Sequence, residues 1–277
     1  KPYLSRLFTG LLKPRHRIPG DVLAGEIVEI RSAVTRFSVG DRVYGYSSDR
    51  LGAHAEYTCL SEAAAIVEIP EGIGFETAAG IVDGGLTALV FLRDKGRIRD
   101  KQRVLVYGAS GSVGTAAVQL AVHFGAEVTG VCGTANVDMV RSLGATHVID
   151  YTKTDVTREG DTYDIIFDTV AKSSFFKCRN ILTGDGIYMA TFPSACIVLR
   201  GLFQSKDRGK RAYFVAAGLR PAKEKITNLH YLSRLLVNHA LSTVVDRTYA
   251  MENIVEAHRY VEAGHKKGNV ILRTIEA

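Results

Sequence analysis

Proline is scarce in this chain of 277 residues, with six against 27 glycines, a balance that disfavours long stiff linkers and suits tight strand–helix junctions. Cysteine is scarcer still. Cys59, Cys132, Cys178 and Cys196 are scattered with no C-x-x-C pair, so four reduced thiols in a cytosol-like compartment are expected rather than a disulfide framework. No apolar run reaches the roughly 18 residues needed to cross a bilayer, which argues against an integral membrane protein and a membrane partner. Internal repeats and low-complexity tracts are missing as well.

What is present has the balance of a globular protein. Hydrophobic residues make up 46% and charged residues 23%, and the length suffices for two packed lobes. The formal charge of +6 favours anionic ligands. The basic clusters at 13–17 and 206–211 lack interleaved aromatics and match no nucleic-acid module. They read as solvated loops, and a nucleic-acid partner is not expected. A phosphate-rich cofactor explains the charge equally well.

As far as about residue 75 the chain reads as short strands and turns. Residues 22–30 are apolar and broken by Gly25, Gly40-Asp41 turns into Arg42-Val43-Tyr44, and 55–59 alternates as a strand should. A helical pattern then covers 76–93. Strands are predicted at 103–107, 128–131, 147–149, 164–168 and 187–190, with helices at 113–124, 137–143, 174–182 and 225–239. Apolar strands alternating with amphipathic helices predict a parallel sheet covered on both faces. A strand, a helix over 251–263 and a last strand over 269–273 end the chain; pattern alone leaves open whether they return to the first lobe.

The sharpest signal is Gly108-Ala109-Ser110-Gly111-Ser112-Val113-Gly114, set directly between a buried strand and a helix start. Glycines there let the backbone turn tightly and let a pyrophosphate approach, while unpaired amides and the helix dipole attract its charge. The spacing is G-x-x-G-x-x-G rather than G-x-G-x-x-G, so the strand–helix context carries the reading; tight-turn glycines alone are the alternative.

A second signal is an absence. The next strand ends at Cys132-Gly133-Thr134, where NAD-specific sites usually carry an acid for the ribose hydroxyls. With no acid on this strand, Thr134 and Asn136 can donate to a 2′-phosphate, which tilts the cofactor toward NADPH over NADH. The usual basic clamp is missing at Ala135, and Arg141 lies a turn or more away. Capping of the following helix is the alternative role for Thr134 and Asn136.

With these residues the chain resembles the zinc-independent quinone oxidoreductase branch of the medium-chain dehydrogenase/reductase superfamily, over nearly its whole length. Residues 18–28 resemble the opening of a GroES-like catalytic lobe, and 40–43 and 52–57 resemble its next landmarks. Residues 84–88 resemble the inter-domain segment whose threonine, here Thr87, lies near the nicotinamide. Residues 144–151 resemble the strand that ends with Tyr151 beside the adenine. The implied fold class is α/β: a doubly wound parallel-sheet Rossmann domain over 76–244, plus a smaller, N-terminally incomplete β-rich GroES-like lobe over 1–75 and 245–277. The resemblance implies hydride transfer to a quinone, enone or related carbonyl substrate, and a homodimer. It also implies cofactor contacts from Thr191, Phe192 and Pro193 and from Gly268 and Asn269. Tyr46 is nominated as a phenol able to donate to a developing oxyanion, with a plain loop tyrosine as the alternative.

The zinc enzymes of the superfamily differ at readable positions. Asp21-Val22 stands where they carry a His–Glu pair, Asp83 stands where they carry a cysteine, and no cysteine-rich lobe fits between Gly45 and Gly52. None of the eight histidines pair at H-x-x-x-H spacing, so no zinc is expected. Family members usually carry further strands before a segment like Lys1-Pro2-Tyr3-Leu4. A cytoplasmic location is expected, with organelle targeting left open because that part is missing. Two other readings stay open: an enoyl-thioester or alcohol/aldehyde reductase on the same fold, and a non-catalytic cofactor- or RNA-binding protein.

Overall fold

The computed structural model describes residues 17–47, 51–192, 209–214 and 217–274. Short strands come first: β1 (Val22–Glu26), β2 (Arg42–Tyr46) and β3 (Ile66–Glu68) form an antiparallel sheet in that order. Gly45 has φ +148, and a side chain on it would run into the Ala65 carbonyl, so glycine is what lets β3 close against β2. The strand expected at 55–59 does not form. Both edges of β2 are already taken by β1 and β3, and Tyr57 is 66% exposed, so the alternation maps onto no buried face.

Helix α1 (Phe75–Leu89) continues as a wider π-helical turn over Val90–Lys95. Together they reach the length and apolarity that could cross a bilayer, contrary to the sequence expectation, but most of the stretch is buried as a core helix. Glycine spacing explains how it seats. A side chain at Gly84 would come within 2.7 Å of the Ser112 carbonyl and hydroxyl, and one at Gly80 within 2.5 Å of Thr243 Cγ2. Gly84 thus lets α1 lie directly over the start of the next helix at Ser112, and Gly80 lets it pack against Thr243 near the end of the chain.

The following elements are β4 (Arg103–Tyr107), α2 (Ser112–His123), β5 (Glu127–Cys132), α3 (Val137–Ser142), β6 (His147–Asp150), β7 (Tyr163–Asp168), α4 (Phe175–Cys178), β8 (Leu182–Ala190) and β9 (Arg211–Phe214). Their strands pair in parallel as β6-β5-β4-β7-β8-β9 among the described residues. The winding reverses at β4, so a crevice opens beyond the carboxyl ends of β4 and β7. Val104, Leu105 and Val106 and their neighbours Ile165, Ile166 and Phe167 are fully buried, the mark of a sheet covered on both faces. The helix expected over 174–182 is shorter, because the chain passes through a 3₁₀ turn and enters β8 at Leu182.

The chain closes with α5 (Ala222–Val237), β10 (Val245–Ala250), α6 (Ile254–Glu262) and β11 (Asn269–Arg273). β10 and β11 pair in parallel with each other. Gly268, at φ +54, donates its N–H to the Ser110 carbonyl at 2.7 Å and so ties this unit to the glycine loop. On α6, the His258 ring lies 6.1 Å from His54. The last unit therefore touches both the loop after β4 and the N-terminal segment.

Candidate active site

The loop after β4 is shaped by three glycines in different ways. Gly108 turns at φ +72, and a side chain there would press on Thr169 and Val170. A side chain at Gly114 would run into the Gly108 carbonyl. Gly111 has open space instead: the nearest atom to a built Cβ is 3.5 Å away. The amides of Gly108 and Ala109 donate to the Val131 carbonyl at 3.1 and 3.0 Å, and that of Gly111 donates to the Gly108 carbonyl at 3.0 Å. Those of Ser110, Val113 and Gly114 meet no acceptor among the described residues. They crown the N-terminus of α2, where orphan donors and the helix dipole together attract an anion.

This loop forms one wall of a cavity of about 560 Å³. Gly108, Ser110, Gly111 and Val113 line it, as do Thr87, Thr191 and Phe192, so the structure brings these seven expected residues together. Thr191 is fixed by its hydroxyl, which donates to the Thr169 carbonyl at 3.1 Å. Pro193 lies outside the described residues. Ala109 and Gly114 do not line the cavity. Ala109 is fully buried under the loop, where its methyl packs toward Gly130 of β5, and Gly114 is buried against Gly108. Gly268 and Asn269 buttress the loop from behind, with the Ser112 hydroxyl donating to Asn269 Oδ1 at 2.6 Å.

A separate cluster stands at the carboxyl ends of β5 and β6, away from the cavity wall. Cys132 is buried, and its thiol is pushed up to about 11 by burial and by Asp150. The Thr134 hydroxyl donates to Asp150 Oδ2 at 2.6 Å and lies 3.1 Å from that of Thr152. These hydroxyl bonds from Thr134 and Thr152 hold the Asp150 carboxyl down at about 2. The absence of an acid, read from β5 alone, is therefore corrected. Register places Asp150 of β6 beside Cys132, and a single strand's sequence cannot show its neighbour. Lys153 Nζ is 3.6 Å from Asp150. Neither Thr134 nor Asn136 caps α3 through its side chain, and Asn136 Oδ1 is buried without a donor among the described residues. Tyr151 is 63% exposed beside Gly133, an open ring face at the rim of the cluster.

Tyr46 is not a loop tyrosine. It ends β2, is almost fully buried, and does not reach the cavity itself; its hydroxyl donates to Asp83 Oδ1 at 3.1 Å. Burial and that carboxylate push the phenol upward, so it stays protonated with its hydrogen directed at Asp83. Asp83, which in sequence shows only as the residue in place of a zinc-ligand cysteine, lines the cavity. It sits four residues before Thr87 and eight before Phe91, so one face of the α1 rod presents all three. Burial raises its carboxyl and Asp21 adds to the rise, while Tyr46, Lys266 and Lys225 oppose it. Lys266 also lines the cavity; burial lowers its ammonium, which donates to the Gly268 carbonyl. The signal that could have found this group was a lone acid inside the apolar stretch of α1.

Two bound groups can be tested against these residues. Among the described residues no three His, Cys, Asp or Glu side chains are grouped as metal ligands would be, and the Asp83 carboxyl accepts from Tyr46. A dinucleotide fits, given free amides over open space at Gly111 and an orphaned Asn136 oxygen at the far cluster.

A parallel sheet that reverses direction beside such a cradle is the architecture of a nucleotide-binding domain. The profile of the alcohol dehydrogenase GroES-like domain matches residues 5–96, and that of zinc-binding dehydrogenases matches 143–272. A chloroplastic quinone-oxidoreductase homolog of Spinacia oleracea is 31% identical, over 98% of this chain and 82% of its own. A zinc-type alcohol dehydrogenase-like protein of Schizosaccharomyces pombe is 30% identical, over 93% of this chain and 77% of its own. Among solved structures, the quinone oxidoreductase from Coxiella burnetii superposes with a TM-score of 0.84 at 26% identity, over 99% of this chain and 84% of that one. The chain belongs to the medium-chain dehydrogenase/reductase superfamily.

Proposed function

We propose that this protein transfers a hydride from NADPH to a quinone, enone or related carbonyl compound without using zinc. The observation that carries the reading is the cavity itself, in which unpaired loop amides, Thr87 and the Asp83 carboxyl share one wall-bounded space. The names of the chloroplastic quinone-oxidoreductase homolog of Spinacia oleracea and of the quinone oxidoreductase from Coxiella burnetii support the acceptor class.

Each residue's part follows from its position. The amides of Ser110 and Val113, which line the cavity, would hold the diphosphate, with Gly108, Ala109, Gly111 and Gly114 shaping the loop around it. Thr87, Thr191, Phe192 and Pro193 would orient the nicotinamide, and Cys132, Thr134, Asn136 and Tyr151 would receive the adenosine end. Gly268 and Asn269 brace the loop. The nicotinamide, when bound, supplies the hydride. The apolar lining from Phe91 and Val170 excludes water and strengthens every polar contact inside. Asp150 is held by the Thr134 and Thr152 hydroxyls, and the exposed Lys153, only loosely paired with it at 3.6 Å, is the cation that would turn to a 2′-phosphate. Residues 76–244 would act as the dinucleotide-binding domain and the remainder as the catalytic lobe.

Fluorescence titration with NADPH and NADH, followed by oxidation of the bound cofactor against a panel of quinones and enones, tests this function. Tight NADPH binding with turnover is expected. Indifference to both cofactors would overturn it, and tighter NADH binding would remove only the 2′-phosphate assignment.

A further inference from the structure

We infer that Asp83, held by Tyr46 at the cavity wall beside Thr87, is the acid that protonates the substrate's oxygen during reduction. The inference rests on the function proposed above and adds a residue to it. Reduction of an enone needs two deliveries. As a hydride reaches the β-carbon, the C=C electron pair moves to the carbonyl oxygen. The Asp83 O–H bond then breaks while a new O–H bond forms on that oxygen, leaving an enol and a carboxylate. For a quinone, the same transfer yields the hydroquinone. Solvent returns the proton to the carboxylate, completing the balance of one hydride and one proton per turnover.

The geometry selects Asp83 over its neighbours. Tyr46 is buried behind it and already donates to it, and Lys266 is turned to the Gly268 carbonyl. Among the described residues Asp83 is the carboxyl that lines the cavity, and one of its oxygens is anchored by the phenol while the other is free to face a substrate. Thr87, one turn along the same helix, sets the distance between the acid and the ring it would serve. The charged and titratable groups around it are Asp21 before β1, Tyr46 on β2, Lys225 on α5 and Lys266 before β11. The Lys225 ammonium also rests 4.6 Å over the Tyr46 ring. Although the Asp83 side chain opens onto the cavity, desolvation by its surroundings and the nearby Asp21 push its carboxyl upward, and Tyr46 and the two lysines limit that rise. Tyr46 is thus a positioning residue, acting on the proton through Asp83.

Asp83→Asn keeps the shape and removes the proton. Its NADPH affinity, by fluorescence, should match the wild type, while kcat for an enone falls about 100-fold and the descending alkaline limb of the pH profile disappears. An acceptor whose reduced anion needs no proton should lose much less. Tyr46→Phe removes a donor that favours the carboxylate, so the limb should move to higher pH with kcat at low pH retained. Infrared titration of the NADPH complex and of the free protein gives a readout independent of turnover: a protonated-carboxyl band, absent in Asp83→Asn, should persist above the ordinary aspartate range. An Asp83 band lost within the ordinary range, or an Asp83→Asn enzyme with unchanged kcat and limb, would overturn the assignment. Loss of NADPH binding by the wild type would instead sink the proposed function.

Discussion

Ser112, the first residue of α2, and Asn269, the first of β11, are joined by a side-chain hydrogen bond of 2.6 Å across 157 residues of sequence. Asn269 is itself held by two bonds to the Val244 carbonyl, from its backbone N–H at 2.8 Å and its side-chain N–H at 3.1 Å. The end of the chain thus fixes where the amides of the glycine loop point. Asn269→Ala removes that brace and leaves the Ser112 hydroxyl without it. A partly buried hydrogen bond of this kind contributes about 1 kcal/mol, so NADPH affinity should weaken about fivefold to tenfold. Calorimetric titration together with a melting curve checks this, and an unchanged dissociation constant would mean that the loop orients itself.

Lys153 tests the assignment of the far cluster. Its ammonium is 69% exposed and pairs loosely with Asp150, so it is free to turn toward a 2′-phosphate. Lys153→Glu should weaken NADPH about tenfold or more, the scale of a charge-assisted contact, while NADH is little affected. Equal losses for both cofactors would place the phosphate elsewhere.

His54 makes stability depend on pH. Its imidazole is lowered from the ordinary 6.5 by burial and by His258, and its Nδ1 is buried without a partner among the described residues. The folded chain holds this ring neutral, so between its lower folded value and 6.5 the unfolded chain binds more protons. The associated stability is complete above about 6.5 and is lost as pH falls through that window. Melting temperatures across pH 5 to 8 (roughly the histidine range) should decline on the acid side, and His54→Gln should flatten the decline. An identical slope in the variant would assign it to other groups.

The sheet was legible in the sequence because each buried strand is a short apolar run between turn residues, and the glycine loop because its setting repeats a known physical requirement. Residues distant in sequence but adjacent in register were not. Asp150 escaped notice because it comes from β6, and Asp83 because a helix pattern shows the spacing to Thr87 but not the cavity both enter. The three residues of β3 and four of β9 are too short for their alternation to stand out, and 55–59 alternates without a buried face, with Tyr57 exposed.

The most direct measurement is an NADPH titration of Gly111→Asp beside the wild type. Gly111 caps α2 with φ −83 and ψ 178, a conformation any residue adopts, and its surroundings are open. Aspartate is also a favourable N-cap, so the melting temperature should hold or rise. Its carboxylate would occupy the anion cradle, and NADPH affinity should drop about 100-fold, roughly 2.7 kcal/mol. A stable variant that binds NADPH as tightly as the wild type would contradict a diphosphate site at the start of α2.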